Sequence, residues 1–111
     1  MSVIDLDNLP DELVTPKHSK AQGCLITGEQ VEVGILRIRS GEGAQTHSHP
    51  HEQIIVVLEG EIRLTLDGEV SVLRPGHAVH IRPNVPHSTL ALQDTKLVSC
   101  KGVVDGVGHR I

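Results

Sequence analysis

From Cys24 onward, apolar and polar residues alternate in short runs and never at helical spacing. Val31, Val33 and Ile35 alternate with Glu32 and Gly34, the period of two expected of a half-buried strand. Runs rich in Val, Ile, Leu and Thr recur every eight to ten residues or so, broken by Gly, Pro, Asn and Asp, which is how a sandwich or barrel is punctuated. The pattern predicts strands over 24–27, 31–39, 45–49, 53–58, 61–66, 69–73, 77–81, 87–92 and 95–100. Before them, residues 1–22 form an arm in which Pro10 and Pro16 oppose a long helix, and residues 23–111 form a single barrel. The turn dipeptides Glu59-Gly60 and Asp67-Gly68 each predict a hairpin. A two-residue turn at Glu59-Gly60 sets Val57 opposite Ile62, Ile55 opposite Leu64 and Gln53 opposite Leu66. Those six residues then share one face, with Ile54, Val56, Arg63 and Thr65 on the other.

At 111 residues the chain holds one domain. Its net charge of −4, with both signs interspersed, gives no electrostatic footprint for nucleic acid or for an anionic membrane. The first twenty residues or so carry no apolar run, so neither an export signal nor a spanning helix is expected, and a cytoplasmic protein with reduced Cys24 and Cys100 follows. These two cysteines are too far apart for a CxxC-type zinc site. There is no Phe, Tyr or Trp, so the core must be aliphatic and any pocket lacks flat aromatic walls. The eight histidines are many for this length, and five of them fall between positions 47 and 80. That imbalance points to metal.

The densest segment runs from Gly41 through His47, Ser48, His49, Pro50, His51 and Glu52 to Gln53. In a strand, residues two apart point the same way, so His47 and His49 present two imidazoles to one side. For the third ligand, parity favours Gln53 over Glu52, although a bulge at Pro50 would break that argument. His51 shares the favoured parity. His77 belongs on the surface, while His18 and His109 lie far from this segment and are expected to be exposed.

This segment resembles the first motif of the cupin superfamily: glycine, five residues, His-x-His, three or four residues, glutamate, six residues, glycine. Gly41, His47, His49 and Gly60 match, and Gln53 occupies the glutamate slot. The second motif runs from Gly76 to His87, with Arg82 where proline is usual, Asn84 where glycine is usual and Ala91 where asparagine is usual. The resemblance implies an all-β, RmlC-like jelly roll, or double-stranded β-helix, with His47, His49, Gln53 and His87 around one divalent ion: Zn, Fe, Mn, Ni or Cu. The ligand set is also similar to that of pectin-degradation-type cupins, which act on unsaturated uronates. The tail of that type, with Asp, Phe, Pro and Arg, has no counterpart in Leu97 to Gly106.

A glutamine oxygen, unlike a carboxylate, leaves the ion its full charge, which favours Lewis-acid chemistry such as isomerisation, tautomerisation or lyase reactions. A small oxygenated substrate, sugar-derived and anionic, is expected, with His51 or His80 moving the proton and Arg37 or Arg39 anchoring the anion. The alternatives are a cupin dioxygenase using the same ligands and a non-catalytic small-molecule binder. Ile54, Val56 and Leu58 make the outward face apolar as well, so a homodimer, with the arm contributing, is expected.

Overall fold

The computed structural model describes residues 3–111 and is built from two antiparallel sheets. After a 3-10 turn at Leu6–Asn8 come β1 (Glu12–Leu13), β2 (Gln22–Thr27), β3 (Val31–Ile38), β4 (Gly43–His47) and β5 (Gln53–Glu59). β6 (Ile62–Leu66), β7 (Glu69–Leu73), β8 (Ala78–Ile81), β9 (His87–Ala91) and β10 (Thr95–Gly102) follow. The larger sheet has the order β1-β2-β3-β10-β5-β8, and the smaller has β4-β9-β6-β7. The core lies between them and is aliphatic, as the composition requires: Leu36, Ile55, Val57, Ile62, Leu64, Ile81 and Leu97 are all buried.

Asp67 and Gly68 do close the β6–β7 hairpin, both at positive φ (49° and 83°), with Leu66 paired to Glu69. The hairpin expected at Glu59-Gly60 does not form. β5 pairs with β10 and β8, whereas β6 pairs with β7 and β9, so Glu59-Gly60 is a corner between sheets. Gly60 explains this corner. It sits at φ 87°, and a Cβ there would lie 2.2 Å from the carbonyl oxygen of Asp94, so only glycine lets the chain pass β10 so closely. The inward face was nonetheless read correctly, because two strands packed across a core present the same alternation as two strands paired in one sheet. Gln53, Ile55, Val57, Ile62 and Leu64 are buried and Leu66 is half-buried.

The predicted strand 45–49 begins two residues earlier and ends at His47, with residues 48–52 forming a corner around Pro50. The second half of the arm, from Glu12 onward, joins the barrel. β1 pairs with β2, and Val14 is fully buried in the core cluster. Residues 1–2 of the expected arm lie outside the described residues.

Candidate metal centre

The site spans both sheets. His47 and His87 face each other as direct partners on β4 and β9, their ring centroids 4.4 Å apart. His49 comes from the corner that follows, with its ring 4.8 Å from that of His87. Asn84 holds this corner in place. At φ 66°, it uses a left-handed conformation that asparagine tolerates, and its N–H donates to the His49 carbonyl at 2.7 Å. One ring nitrogen from each of His47, His49 and His87 lies within 4.8 Å of the others, and no Cys, Asp or Glu joins the cluster among the described residues.

Each imidazole is locked the same way. His47 Nδ1 donates to the Gln45 carbonyl at 2.7 Å, His49 Nδ1 to that of His51 at 3.0 Å, and His87 Nδ1 to that of Val85 at 2.9 Å. A carbonyl only accepts, so each Nδ1 carries the proton and each Nε2 keeps a lone pair. Burial, the largest cause in each case, holds all three below the usual imidazole pKa, with His49 pushed down to about 4. Three neutral, oriented nitrogen donors converge, which is what a metal ion requires.

Gln53 is fixed by a chain of hydrogen bonds that begins at Glu32. The Glu32 carboxylate accepts from the backbone N–H and from Nδ1 of His109, both at 2.6 Å, and from Thr27 Oγ1 at 2.6 Å. Burial raises the Glu32 pKa, but the hydrogen bonds from Thr27 and His109 outweigh it and the net shift is downward. Burial pushes His109 down to about 4, so its Nε2 is a bare acceptor and takes the Ser99 hydroxyl proton at 2.8 Å. Ser99 Oγ therefore accepts from Gln53 Nε2 at 2.8 Å, and the amide has only one orientation, with its oxygen 3.1 Å from His49 Nε2. Neutral His49 has one ring proton for two acceptors, and with that proton on Nδ1 its Nε2 faces the Gln53 oxygen without one. In a metal-free interior that contact is unfavourable; a cation satisfies both.

The other expected site residues lie elsewhere. His51 is buried beside His49, but its Nε2–H donates to the Val107 carbonyl at 2.8 Å and its Nδ1 has no partner. His80 points outward from β8 and bonds Glu52 at 2.6 Å. Arg37 is exposed and held by Asp11 at 2.9 Å, and Arg39 is exposed too; neither lines the cavity beside the histidines. His109, expected to be exposed, is 2% exposed, and His18 is half-buried and stacked on His47 at 4.9 Å.

A cavity of about 70 Å³ is lined by His47, Gln53, His87, Ser99, Lys101 and His109, among others. Ser99, Lys101, Glu32 and His109 escaped the sequence reading. The first two carried a signal: they share the parity of buried Leu97 on β10, so two polar residues stood in a core-facing row. His109, in an irregular tail, carried none.

A family model described as the cupin domain matches residues 34–99. Quercetin 2,3-dioxygenase of Bacillus subtilis (strain 168) is 38% identical over 76 residues, which are 66% of this chain and 22% of that protein. The chain thus spans about a fifth of that curated relative's length. The structure of KdgF from Halomonas sp. matches with a TM-score of 0.79 at 22% identity, over 92% of this chain and 93% of that one. The polyketide cyclase RemF from Streptomyces resistomycificus gives 0.76 at 19% identity, over 100% of this chain and 85% of that one. At such identities these two structures speak for the fold alone.

The locked tautomers have a direct readout. Long-range 15N NMR of metal-free protein at neutral pH is expected to show His47, His49 and His87 as neutral Nδ1–H forms, with His49 protonating only as the pH nears about 4. Because unfolded histidines take protons from about pH 6.5 downward, metal-free stability should fall across that same window. An imidazolium signal from His49 at pH 6 to 7 is the contrary result.

Proposed function

The chain belongs to the cupin domain family, and from that premise we propose a metal-dependent enzyme in which His47, His49, Gln53 and His87 hold one divalent ion. It acts on a small oxygenated substrate by isomerase, tautomerase or lyase chemistry. The observation that carries this is the convergence of His47, His49 and His87, whose ligand atoms lie within 4.8 Å of one another, with Gln53 Oε1 3.1 Å from His49 Nε2. Imidazole nitrogen and amide oxygen suit Zn, Fe, Mn, Ni or Cu. When bound, the ion supplies Lewis acidity toward a substrate carbonyl or hydroxyl, undiminished by any ligand carboxylate.

The remaining residues supply proton handling. Ser99 stands at the cavity wall with its hydroxyl given to His109 Nε2, and His109 Nδ1–H is given to Glu32. A proton arriving at Ser99 Oγ passes to His109 Nε2, where the hydrogen bond to Glu32 offsets part of the burial penalty on the imidazolium. His51, whose Nε2–H is engaged by Val107, and His80, outside the cavity, leave this role to that chain of groups. The identity with a quercetin 2,3-dioxygenase supports a second reading, an oxygenase using the same ligands. A non-catalytic binder is the third.

Protein purified without added metal is expected to carry stoichiometric divalent ion, and His87→Ala to lose it while keeping the wild-type far-UV circular dichroism. A wild type that neither carries nor binds metal on titration eliminates both enzyme readings. Oxygen uptake by the loaded protein with flavonols, diketones or thiols shifts the assignment to the oxygenase. A ligand recovered unchanged, with no uptake, favours the binder. Ser99→Ala frees the Gln53 amide and is expected to weaken metal affinity by about 10- to 100-fold in calorimetric titration, as loss of an orienting partner does elsewhere. Unchanged affinity means that Ser99 does not position Gln53.

The assembly is proposed to be a homodimer formed through the outer face of the larger sheet. Val31, Ile54 and Leu58 are exposed there at 52%, 44% and 45%, and Val33, Ile35, Val56 and Val98 are only half-buried. The described arm turns Val14 into the core, so a second copy is what remains to cover this face. Size-exclusion chromatography with light scattering should give twice the chain mass; a monomer at every concentration removes the dimer.

A further inference from the structure

Lys101 is 3% exposed, and its place in the sheet explains where it points. On β10 it pairs with Glu32 of β3 on one side and Gln53 of β5 on the other, and residues directly opposite in antiparallel strands share a face. The row Glu32, Lys101, Gln53 therefore looks inward, and Lys101 lines the cavity with His47, His87 and Ser99. Glu32 is its obvious partner but is not engaged with it. The carboxylate already accepts three hydrogen bonds, from His109 and Thr27, and among the described residues no carboxylate lies within 4.0 Å of the Lys101 ammonium. Glu32 acts on Lys101 only through space, and a buried ammonium with no directly bonded counter-ion is destabilising unless something else supplies that contact.

We propose that Lys101 is the anion-recognition group of this cavity and that the substrate bound there carries a carboxylate. The inference rests on the metal-centred reading above and adds the substrate class to it. In formal charge, Glu32 balances Lys101, so a divalent ion on four neutral donors leaves the interior positive, and an anion is what it lacks. Burial draws the Lys101 pKa down to about 8, which still leaves the ammonium in the majority at neutral pH. Size narrows the class further. About 70 Å³ holds a few non-hydrogen atoms, since one water needs about 10–15 Å³ and drug-sized sites run to about 300–1,000 Å³. Lys101 lines this cavity with His47 and His87, so a substrate whose carboxylate lies next to its metal-polarised oxygen, as in a 2-hydroxy or 2-oxo acid, would reach both. The anion anchor is thus Lys101 and not the exposed Arg37 or Arg39.

Oxalate, with adjacent carboxylates, is the probe, and acetohydroxamate, which chelates metal through two oxygens without a carboxylate, is its control. Both are titrated calorimetrically into nickel-loaded and metal-free protein. Lys101→Met and Lys101→Gln are expected to keep the metal and to weaken oxalate binding by about 10- to 100-fold, the range of a hydrogen bond to a charged group, while acetohydroxamate affinity stays within about twofold. Both variants should keep the wild-type far-UV circular dichroism, so that a loss of oxalate binding is not a loss of fold. Oxalate binding that is absent from wild type, or indifferent to residue 101, overturns the proposal. If wild type takes up no metal, the metal reading fails by itself. The metal-free titration then decides the carboxylate: binding lost in Lys101→Met supports it, and binding that persists, or was never there, rejects it.

Discussion

One buried carboxylate, that of Glu32, organises the polar interior. A charge in that position would be prohibitive without compensation, and the fold provides three hydrogen bonds, two of them from His109 near the end of the chain. The C-terminal segment is thereby drawn against the barrel, with Gly108 so close that a Cβ would lie 2.6 Å from Glu32 Oε1. Fixing the proton on His109 Nδ1 then determines every donor and acceptor downstream: His109 to Ser99, Ser99 to Gln53, Gln53 to the histidines. The orientation of an amide oxygen beside His49 follows from a carboxylate on β3, through His109 and Ser99, each hydrogen-bonded on both sides.

The lack of aromatic residues matters to this arrangement. In a barrel of Val, Ile and Leu, imidazoles are the only rings available, and they form the one ring cluster among the described residues, from His18 through His47, His87 and His49 to His51. Aliphatic packing around them lowers their proton affinity by desolvation, and carbonyls two residues from each ligand position choose the tautomer. Donor geometry and donor charge state are therefore both set by the protein before any ion binds.

Most of the strands were legible because one-sided burial writes itself as alternation, and Asp67-Gly68 was legible because its turn demands positive φ at both residues. Glu59-Gly60 was misread for a physical reason: a glycine that lets a strand leave one sheet for the other looks, locally, like a glycine in a hairpin. The spacing of His47 and His49 and the family's second motif for His87 pointed to these three residues, yet strand parity holds only in part, since His49 lies past the end of β4. Pro50 was the warning, and the corner it marks brings His49 to the site by a different route. Lys101 carried an unused signal, a charged residue in register with Leu97 and Ser99, whereas the partnership of Glu32 with His109, 77 positions apart, depends on a tail with no periodicity to read.

The same electrostatics bear on the kind of chemistry. In the proposed site, with Gln53 in place of a carboxylate, nothing among the four donors would offset a trivalent ion, and Lys101 adds positive charge to the same small cavity. Both features would stabilise an oxyanion or enolate developing on the proposed substrate and would disfavour raising the charge of an ion held there. An oxygenase at this site would have to work against that bias at each oxidation, whereas proton transfer next to a polarised carbonyl works with it. The Ser99–His109–Glu32 chain is suited to the same task, since it opens on the cavity with a hydroxyl and ends on a carboxylate able to stabilise one additional proton. The substitution at the glutamate position and the lysine on β10 thus act in the same electrostatic direction, although they lie on different strands.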